Sequence, residues 1–368
     1  GDPLLPSPLI RGRNHFTFKW HLVLVFMRRY ARFFAEKSIR DLPEFAEVAS
    51  RHPALEWIDD YQTFRFEPDP HRSFLEQRRI VQEKTCVIFA EKRGAWLKPF
   101  HCYEHPAYSF LSLDLAEGCL FDCVYCYLQS YLNHGALVIF LGLQGLFAEL
   151  KALDSRAYWI STGLLSDSLL AELQFPFLAR ISKNLPPHAI LELRSKVADV
   201  TMLENAEIVK EQIVVSWSFN PAEIVRNYEF GASSLEERLN AAREAIRLGY
   251  RVAFHLDPVF HIDGWQRAYA DLFAALESFS KDRVAFLSVG LFRYMPDLGV
   301  IIRKRFPYHP VLSGEFFPDE DGKYHYFRAI RKEMYESFSG WLKKWEGVPV
   351  FWSMEPDSSL YRPYPAGS

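Results

Sequence analysis

Cysteine is scarce in this chain, with five among 368 residues. Five cannot all pair with one another, and so thin a supply builds no disulfide framework. Long apolar runs are missing as well. The two candidates, residues 20–27 and 136–147, fall short of the roughly 20 apolar residues that cross a bilayer. Arg28 and Arg29 close the first run, so its cationic end follows the apolar stretch, the reverse of a secretory signal. The second contains Gly142, Gln144 and Gly145 and reads as a buried strand turning into a helix. Charge of one sign is not in excess either: 43 Lys and Arg stand against 46 Asp and Glu, a net −3. That balance excludes an extended basic nucleic-acid-binding protein and leaves room only for a local basic groove. No internal repeat or low-complexity tract is visible. Together these absences lead us to expect a soluble, cytoplasmic protein of a reducing compartment, with no membrane partner.

Apolar side chains are abundant: 49% of the chain is hydrophobic and 16% aromatic, ample for a large core. Residues 1–83 read as an aromatic and basic N-terminal extension, with an amphipathic helix expected over about 21–37. From residue 84 a regular alternation begins. Strands are expected at 85–90, 110–115, 136–141, 158–161, 189–193, 213–218, 251–256 and 284–290. Helical patterns fall between most of them, at about 143–152, 166–173, 235–248 and 265–279. The clearest opens on Ser234 with Glu237 three residues later and ends at Gly249, a capping box and a C-terminal glycine. Short apolar strands alternating with amphipathic helices mean parallel β/α units, a barrel or a doubly wound sheet, over residues 84–292. Residues 293–368 read as a C-terminal, substrate-side region with one long helix near 325–345 and a last strand at 348–352.

Three of the five cysteines crowd together as Cys119-x3-Cys123-x2-Cys126, directly after an expected strand. Zinc sites normally show two separated ligand pairs, whereas here three thiols stand without an evident fourth. Cys86 and Cys102 read as small buried hydrophobes. A [4Fe–4S] cluster usually takes four thiolates. Three leave one iron with an open position, and open metal positions are where chemistry happens. With Tyr125 just before the last cysteine, the motif resembles the radical S-adenosylmethionine (radical SAM) superfamily. That resemblance implies a [4Fe–4S] cluster and SAM as cofactors, and reductive cleavage of SAM to a 5′-deoxyadenosyl radical that abstracts a substrate hydrogen.

A closer resemblance is to the spore photoproduct lyase family and its DNA-repair photolyase-like relatives. It is carried by Tyr125-Cys-Tyr-Leu-Gln129, Trp217-Ser-Phe-Asn220, Asn227-Tyr-Glu229, Gly249-Tyr250, and Asp257-Pro258 followed by Gly264-Trp265. Residues 321–326 resemble the C-terminal part of the same relatives. The family implies a partial (β/α)6 barrel of the TIM type with N- and C-terminal additions. It also implies a lyase activity on a nucleic-acid lesion. The partners implied are SAM, DNA or another nucleic acid, and an electron donor such as flavodoxin or ferredoxin. Residue by residue, Cys119, Cys123 and Cys126 match the cluster ligands. Tyr125 and Tyr127 match tyrosines linked to SAM and to radical hydrogen transfer. Ser166 and Ser218 match SAM-contacting serines, and Arg194 falls where the lyase has a strand-end lysine, which implies a role at the SAM carboxylate; Asn220 reads, apart from the resemblance, either as a contact to substrate or the SAM sugar or as a loop hydrogen-bonding residue. Leu164 stands where the spore enzyme has a cysteine that returns a hydrogen atom. The usual glycine-glycine-glutamate element is reduced to Ser161-Thr-Gly163. Two alternatives therefore stay open: radical SAM modification of a small molecule, peptide or RNA, and a catalytically inactive Fe–S or SAM-binding protein.

His255 and Asp257 are chosen from the pattern itself. In Phe254-His-Leu-Asp-Pro258 alternation puts both on one face of a strand. They read either as a pair that orients substrate or shuttles a proton, or as a buried support of the barrel mouth.

Overall fold

Seven parallel strands organise the molecule. The computed structural model describes residues 32–64, 84–100, 107–355 and 358–360. Six strands lie side by side in their chain order: Ser109–Leu113, Tyr158–Thr162, Ala189–Ser195, Ile213–Ser218, Arg251–Val259 and Val284–Leu291. Val350–Trp352 adds a seventh at the far edge, and every pairing among them is parallel. Leu97–Pro99 pairs antiparallel with the first strand and forms the other edge. The two edges do not meet, so the sheet is a half-barrel.

The local sequence explains these elements. Ile213–Ser218 is buried along almost its whole length, as expected of a strand covered on both faces. Helix Leu235–Arg247 starts with the reciprocal capping box of Ser234 and Glu237. Helix Trp265–Leu276 buries Trp265, Tyr269, Leu272, Phe273 and Leu276, one stripe at helical spacing. Because the strands are parallel, their C-terminal ends and the loops after them collect along one edge.

The structure departs from the sequence reading in three places. Strands Cys86–Glu91 and Leu137–Leu141 do not enter the half-barrel. They pair with each other and with Arg32–Glu36 in a second sheet that also holds Glu56–Ile58 and Ala116–Glu117. An all-apolar run announces a strand buried on both faces but not which sheet receives it. Second, the end of the expected helix over 21–37 is strand Arg32–Glu36, followed by the 3-10 turn Lys37–Asp41. Parallel partners on both sides override its weak helical pattern. The rest of that helix lies outside the described residues, as does Cys102. Third, Val350–Trp352 joins the barrel sheet rather than a separate C-terminal region. Cys86 is fully buried in the core. No helix among the described residues is long and apolar enough to cross a membrane.

Candidate active site

The three cysteines sit on the loop that leaves the first barrel strand. Gly118 makes the loop possible: its φ is +78°, and a Cβ there would meet the Ala136 carbonyl oxygen at 1.9 Å. Only glycine accepts both the left-handed backbone and the close approach. Residues Asp122–Cys123 pair antiparallel with Glu229–Phe230, and the Gln129 side-chain amide donates to the carbonyls of Cys123 (3.1 Å) and Val124 (2.9 Å). Lys84 donates to the Cys119 carbonyl (2.9 Å). Arg305, from the distant helix Pro296–Arg305, bonds both Asp122 oxygens at 2.8 Å and also the Gln129 side chain. Chain segments far apart in sequence thus hold this one loop.

None of the three thiols is in a disulfide. Burial pushes the Cys119 thiol up to about 12, with Asp167 adding to the shift and Lys84 opposing it. Burial likewise pushes Cys123 well up, against the pull of Lys196. Among the described residues, no three His, Cys, Asp or Glu side chains converge as one metal ion would require. Cys119 and Cys126 line a cavity of about 610 Å³.

The strand ends facing this loop carry the other expected site residues. Ser166 follows the second strand, and its hydroxyl is buried without a hydrogen-bond partner, a vacancy that suits a bound polar molecule. Asp167 beside it caps helix Ser168–Gln174 and accepts from Ser195 Oγ and the Lys196 amide, both at 2.7 Å. Gly163 has φ +79°, and its Cα lies against the Arg194 carbonyl, where a Cβ would come within 2.7 Å. Tyr127 is half exposed, and its hydroxyl donates to the Leu164 carbonyl. Ser218 closes the fourth strand, its carbonyl accepting from Arg238 at 2.9 Å.

Five of the expected residues, Tyr125, Asn220, Arg194, His255 and Asp257, hydrogen-bond to other protein groups. Tyr125 is buried and donates to Glu229, which is also paired with the fully buried Arg238. The Asn220 side chain donates to Glu229 (3.3 Å) and accepts from the Tyr269 hydroxyl (2.9 Å). Arg194 turns to Glu192 at 3.1 Å. His255 does not pair with Asp257. Its Nε2 lies 2.7 Å from Glu192, while Asp257 accepts from Ser353 Oγ at 2.6 Å. Alternation does place both on one side, but elements two places away in the sheet supply the partners: Glu192 from Ala189–Ser195 and Ser353 after Val350–Trp352.

Sequence reasoning missed Glu192, Lys196 and the pair Glu229–Arg238. Glu192 accepts from Trp159 Nε1 (2.9 Å), Ser161 Oγ (2.6 Å) and Ser216 Oγ (2.8 Å), besides His255 and Arg194. Burial opposes its ionisation, but Arg194 and His255 outweigh burial and hold the carboxyl below the usual range. Burial and Arg194 lower the pKa of His255, against the upward pull of Glu192. Lys196 is mostly enclosed and makes no side-chain hydrogen bond or ion pair with any described residue. Its ammonium lies 5.9 Å over the Tyr125 ring. Burial works against its charge, but Glu229 and the Cys123 sulfur more than compensate. A signal existed, because the third strand ends Arg194-Ser-Lys196 and offered two cations. Glu229 stands in the motif Asn227-Tyr-Glu229, but nothing local pairs it with Arg238, nine residues on in the next helix.

A half-barrel of parallel strands with a three-cysteine loop after its first strand defines the radical SAM class. A family model described as spore photoproduct lyase matches residues 103–335, more than half of the chain. The chain belongs to the spore photoproduct lyase family. It is 28% identical over 179 residues to a spore photoproduct lyase of Geobacillus sp. (strain Y412MC61), covering 45% of this chain and 50% of that protein. To the Bacillus subtilis (strain 168) lyase it is 24% identical over 174 residues, covering 45% and 51%. The chain thus spans about half the length of the curated relatives it matches. Its fold matches a double mutant of spore photoproduct lyase with bound AdoMet and dinucleoside spore photoproduct. That match has a TM-score of 0.76 at 20% identity, over 88% of this chain and 98% of that one. A second lyase structure, complexed with dinucleoside spore photoproduct, gives TM-score 0.76 at 19% identity, over 88% and 99%.

Proposed function

We propose that this protein is a radical SAM enzyme that acts on a nucleic-acid lesion of the spore photoproduct kind. The observation that carries the reading is one loop after the first barrel strand that bears three unbridged thiols, with the Lys196 ammonium over the ring of Tyr125 in that loop and the buried Ser166 hydroxyl, without a hydrogen-bond partner among the described residues, after the second strand. Cys119, Cys123 and Cys126 would hold a [4Fe–4S] cluster, and SAM bound at its open iron would supply one-electron cleavage and hydrogen abstraction. Lys196 is the cation that would meet the SAM carboxylate, in place of Arg194, which is engaged with Glu192. Ser166 and Ser218 would add hydrogen bonds. Tyr125 and Asn220 act as positioning residues, because their polar ends face Glu229 inside the protein. His255, held by Glu192, supports the mouth from below, and Asp257 is anchored to Ser353. Buried aromatic walls, among them Phe260 and Phe292 around Tyr125, keep water from a reactive intermediate.

The test is anaerobic reconstitution followed by reduction with SAM and a dinucleoside spore photoproduct. The expected result is a brown protein with about four irons per chain that converts the lesion to the undamaged dinucleoside. A colourless protein holding one zinc would overturn the reading. Leu164 favours a second reading, in which the same chemistry serves another substrate, since leucine has no transferable hydrogen of the thiol type. Release of 5′-deoxyadenosine with the lesion left intact would select it.

A further inference from the structure

Side chains on the concave face of the half-barrel fall into layers. Phe110 of the first strand meets Phe351 of the seventh with ring centroids 6.1 Å apart, a contact across the hollow of the sheet. Trp159, Ile190, Val214, Ala253 and Phe286, from the strands between, pack with them as an apolar floor. Two residues further along a strand the side chain returns to the same face. That step reaches Ser161, Glu192, Ser216, His255, Ser288 and Ser353, all buried, with Glu192 bonded to Ser161, Ser216 and His255. One more step reaches the mouth at Gly163, Arg194, Ser218, Asp257 and Gly290. In this layer Arg194 turns to Glu192. Asp257 is partly exposed, and only one of its oxygens is used. Its Oδ2 accepts from Ser353 Oγ at 2.6 Å, and Asp257 makes no other hydrogen bond and no ion pair with any described residue. The anchor is built in. A Cβ on Gly290 would come within 2.4 Å of Ser353 Oγ, so glycine there clears the space for this bond. Beyond Ser353 the chain turns at Met354 with φ +65°, the one non-glycine residue in the left-handed region among those described. Such a conformation persists only where its surroundings enforce it, and Arg331 holds the next residue, Glu355, at 2.8 Å.

We propose that Asp257 recognises the substrate base, its second oxygen accepting a hydrogen bond from the imide N–H of a pyrimidine ring. The inference rests on the reading that the substrate is a pyrimidine lesion. An ionised carboxylate accepts and does not donate, and its charge repels phosphate, so it selects a donor edge of the base over the backbone anion. A pyrimidine-2,4-dione ring offers one such N–H. The SAM amino group is the less fitting occupant. The groups proposed for SAM come from the ends of the second to fourth strands, whereas Asp257 stands on the fifth and is tied to Ser353 after the seventh. The strand end beyond Asp257 carries Phe260, whose ring packs 5.0 Å from that of Tyr125 in the cysteine loop, so a base held at Asp257 lies at the mouth that this loop borders.

The experiment compares reconstituted wild type with Asp257→Asn, using as probes dinucleoside spore photoproduct and its N3-methylated forms, one ring methylated at a time. Asparagine keeps the size and an oxygen for Ser353 but presents an amide NH2 in place of the second oxygen. In wild type, methylation of one of the two rings is expected to raise KM about tenfold or more with kcat little changed, the loss of a charge-assisted hydrogen bond. In Asp257→Asn the unmethylated lesion should show the raised KM, and methylation of that ring should add nothing. Asp257→Ala should lose the same discrimination, and iron per chain reports that each variant has folded and loaded. Discrimination retained in the variants overturns the proposal, as does a wild type that treats all the lesions alike. Weakened SAM binding in Asp257→Asn, with discrimination kept, would assign the carboxylate to the SAM amino group and overturn it equally. A wild type that releases 5′-deoxyadenosine yet converts no lesion would overturn the lesion reading itself and this inference with it.

Discussion

At the scale of single residues, the site turns on which polar groups are already engaged. Lys196 makes no side-chain hydrogen bond or ion pair with any described residue, which suits it to an anionic ligand. Replacing it by methionine keeps the stem and removes the charge. A charge-assisted hydrogen bond contributes about 1.5–3 kcal/mol, so Lys196→Met should weaken SAM binding about 10- to 100-fold by equilibrium dialysis, with iron content unchanged. Wild-type affinity in the variant would return the carboxylate role to Arg194. Tyr127 is the second test. Its hydroxyl lies on the Leu164 carbonyl, the position where a thiol is missing, whereas the Tyr125 hydroxyl is committed to Glu229. Tyr127→Phe should still cleave SAM yet form product at less than a tenth of the wild-type rate. Full product formation would exclude Tyr127 from hydrogen return. The cysteines, both tyrosines and Ser166 are candidates the sequence offers because they sit in short motifs. Lys196 was visible but passed over, because its sequence neighbour Arg194 offered the same charge and only packing shows which of the two is spent.

At the scale of elements, the cysteine loop is held from outside as much as by its own sequence. Gly118 gives the entry turn, the Glu229–Phe230 strand pairs with Asp122–Cys123, and Arg305 closes over Asp122 and Gln129. Gly118→Ala adds a Cβ that collides with the Ala136 carbonyl at a positive φ, so loop geometry must give way. The variant should fold but incorporate less than half the wild-type iron, measured per chain after reconstitution. Full iron with an unchanged cluster spectrum would show that the loop tolerates the shift. Nothing local announces the contribution of Arg305, because it comes from a helix almost two hundred residues downstream.

At the scale of the whole molecule, polar groups are buried among the packed elements and make stability depend on pH. Glu172 accepts from the amides of Phe177 (2.8 Å) and Leu178 (3.0 Å), and burial raises its carboxyl to about 7 despite these bonds. The folded value lies above the ordinary 4.5, so the native state holds this proton more tightly than the unfolded chain. Its contribution is full below about pH 4.5 and is lost as pH rises through 7, of order 3 kcal/mol. Glu172→Gln should flatten that part of the fall when stability is followed from pH 4.5 to 7.5 by urea denaturation. An unchanged slope would place the pH dependence elsewhere. The sequence by itself determined the strands, most helices and the three-cysteine motif, since periodicity, capping and short spacing are local properties. Packing alone settles that Cys86–Glu91 and Leu137–Leu141 leave the half-barrel, that His255 meets Glu192 and not Asp257, and that Lys196 has no hydrogen-bond or ion-pair partner among the described residues. Those outcomes depend on which distant strand or helix lies alongside, and no local pattern encodes that neighbour.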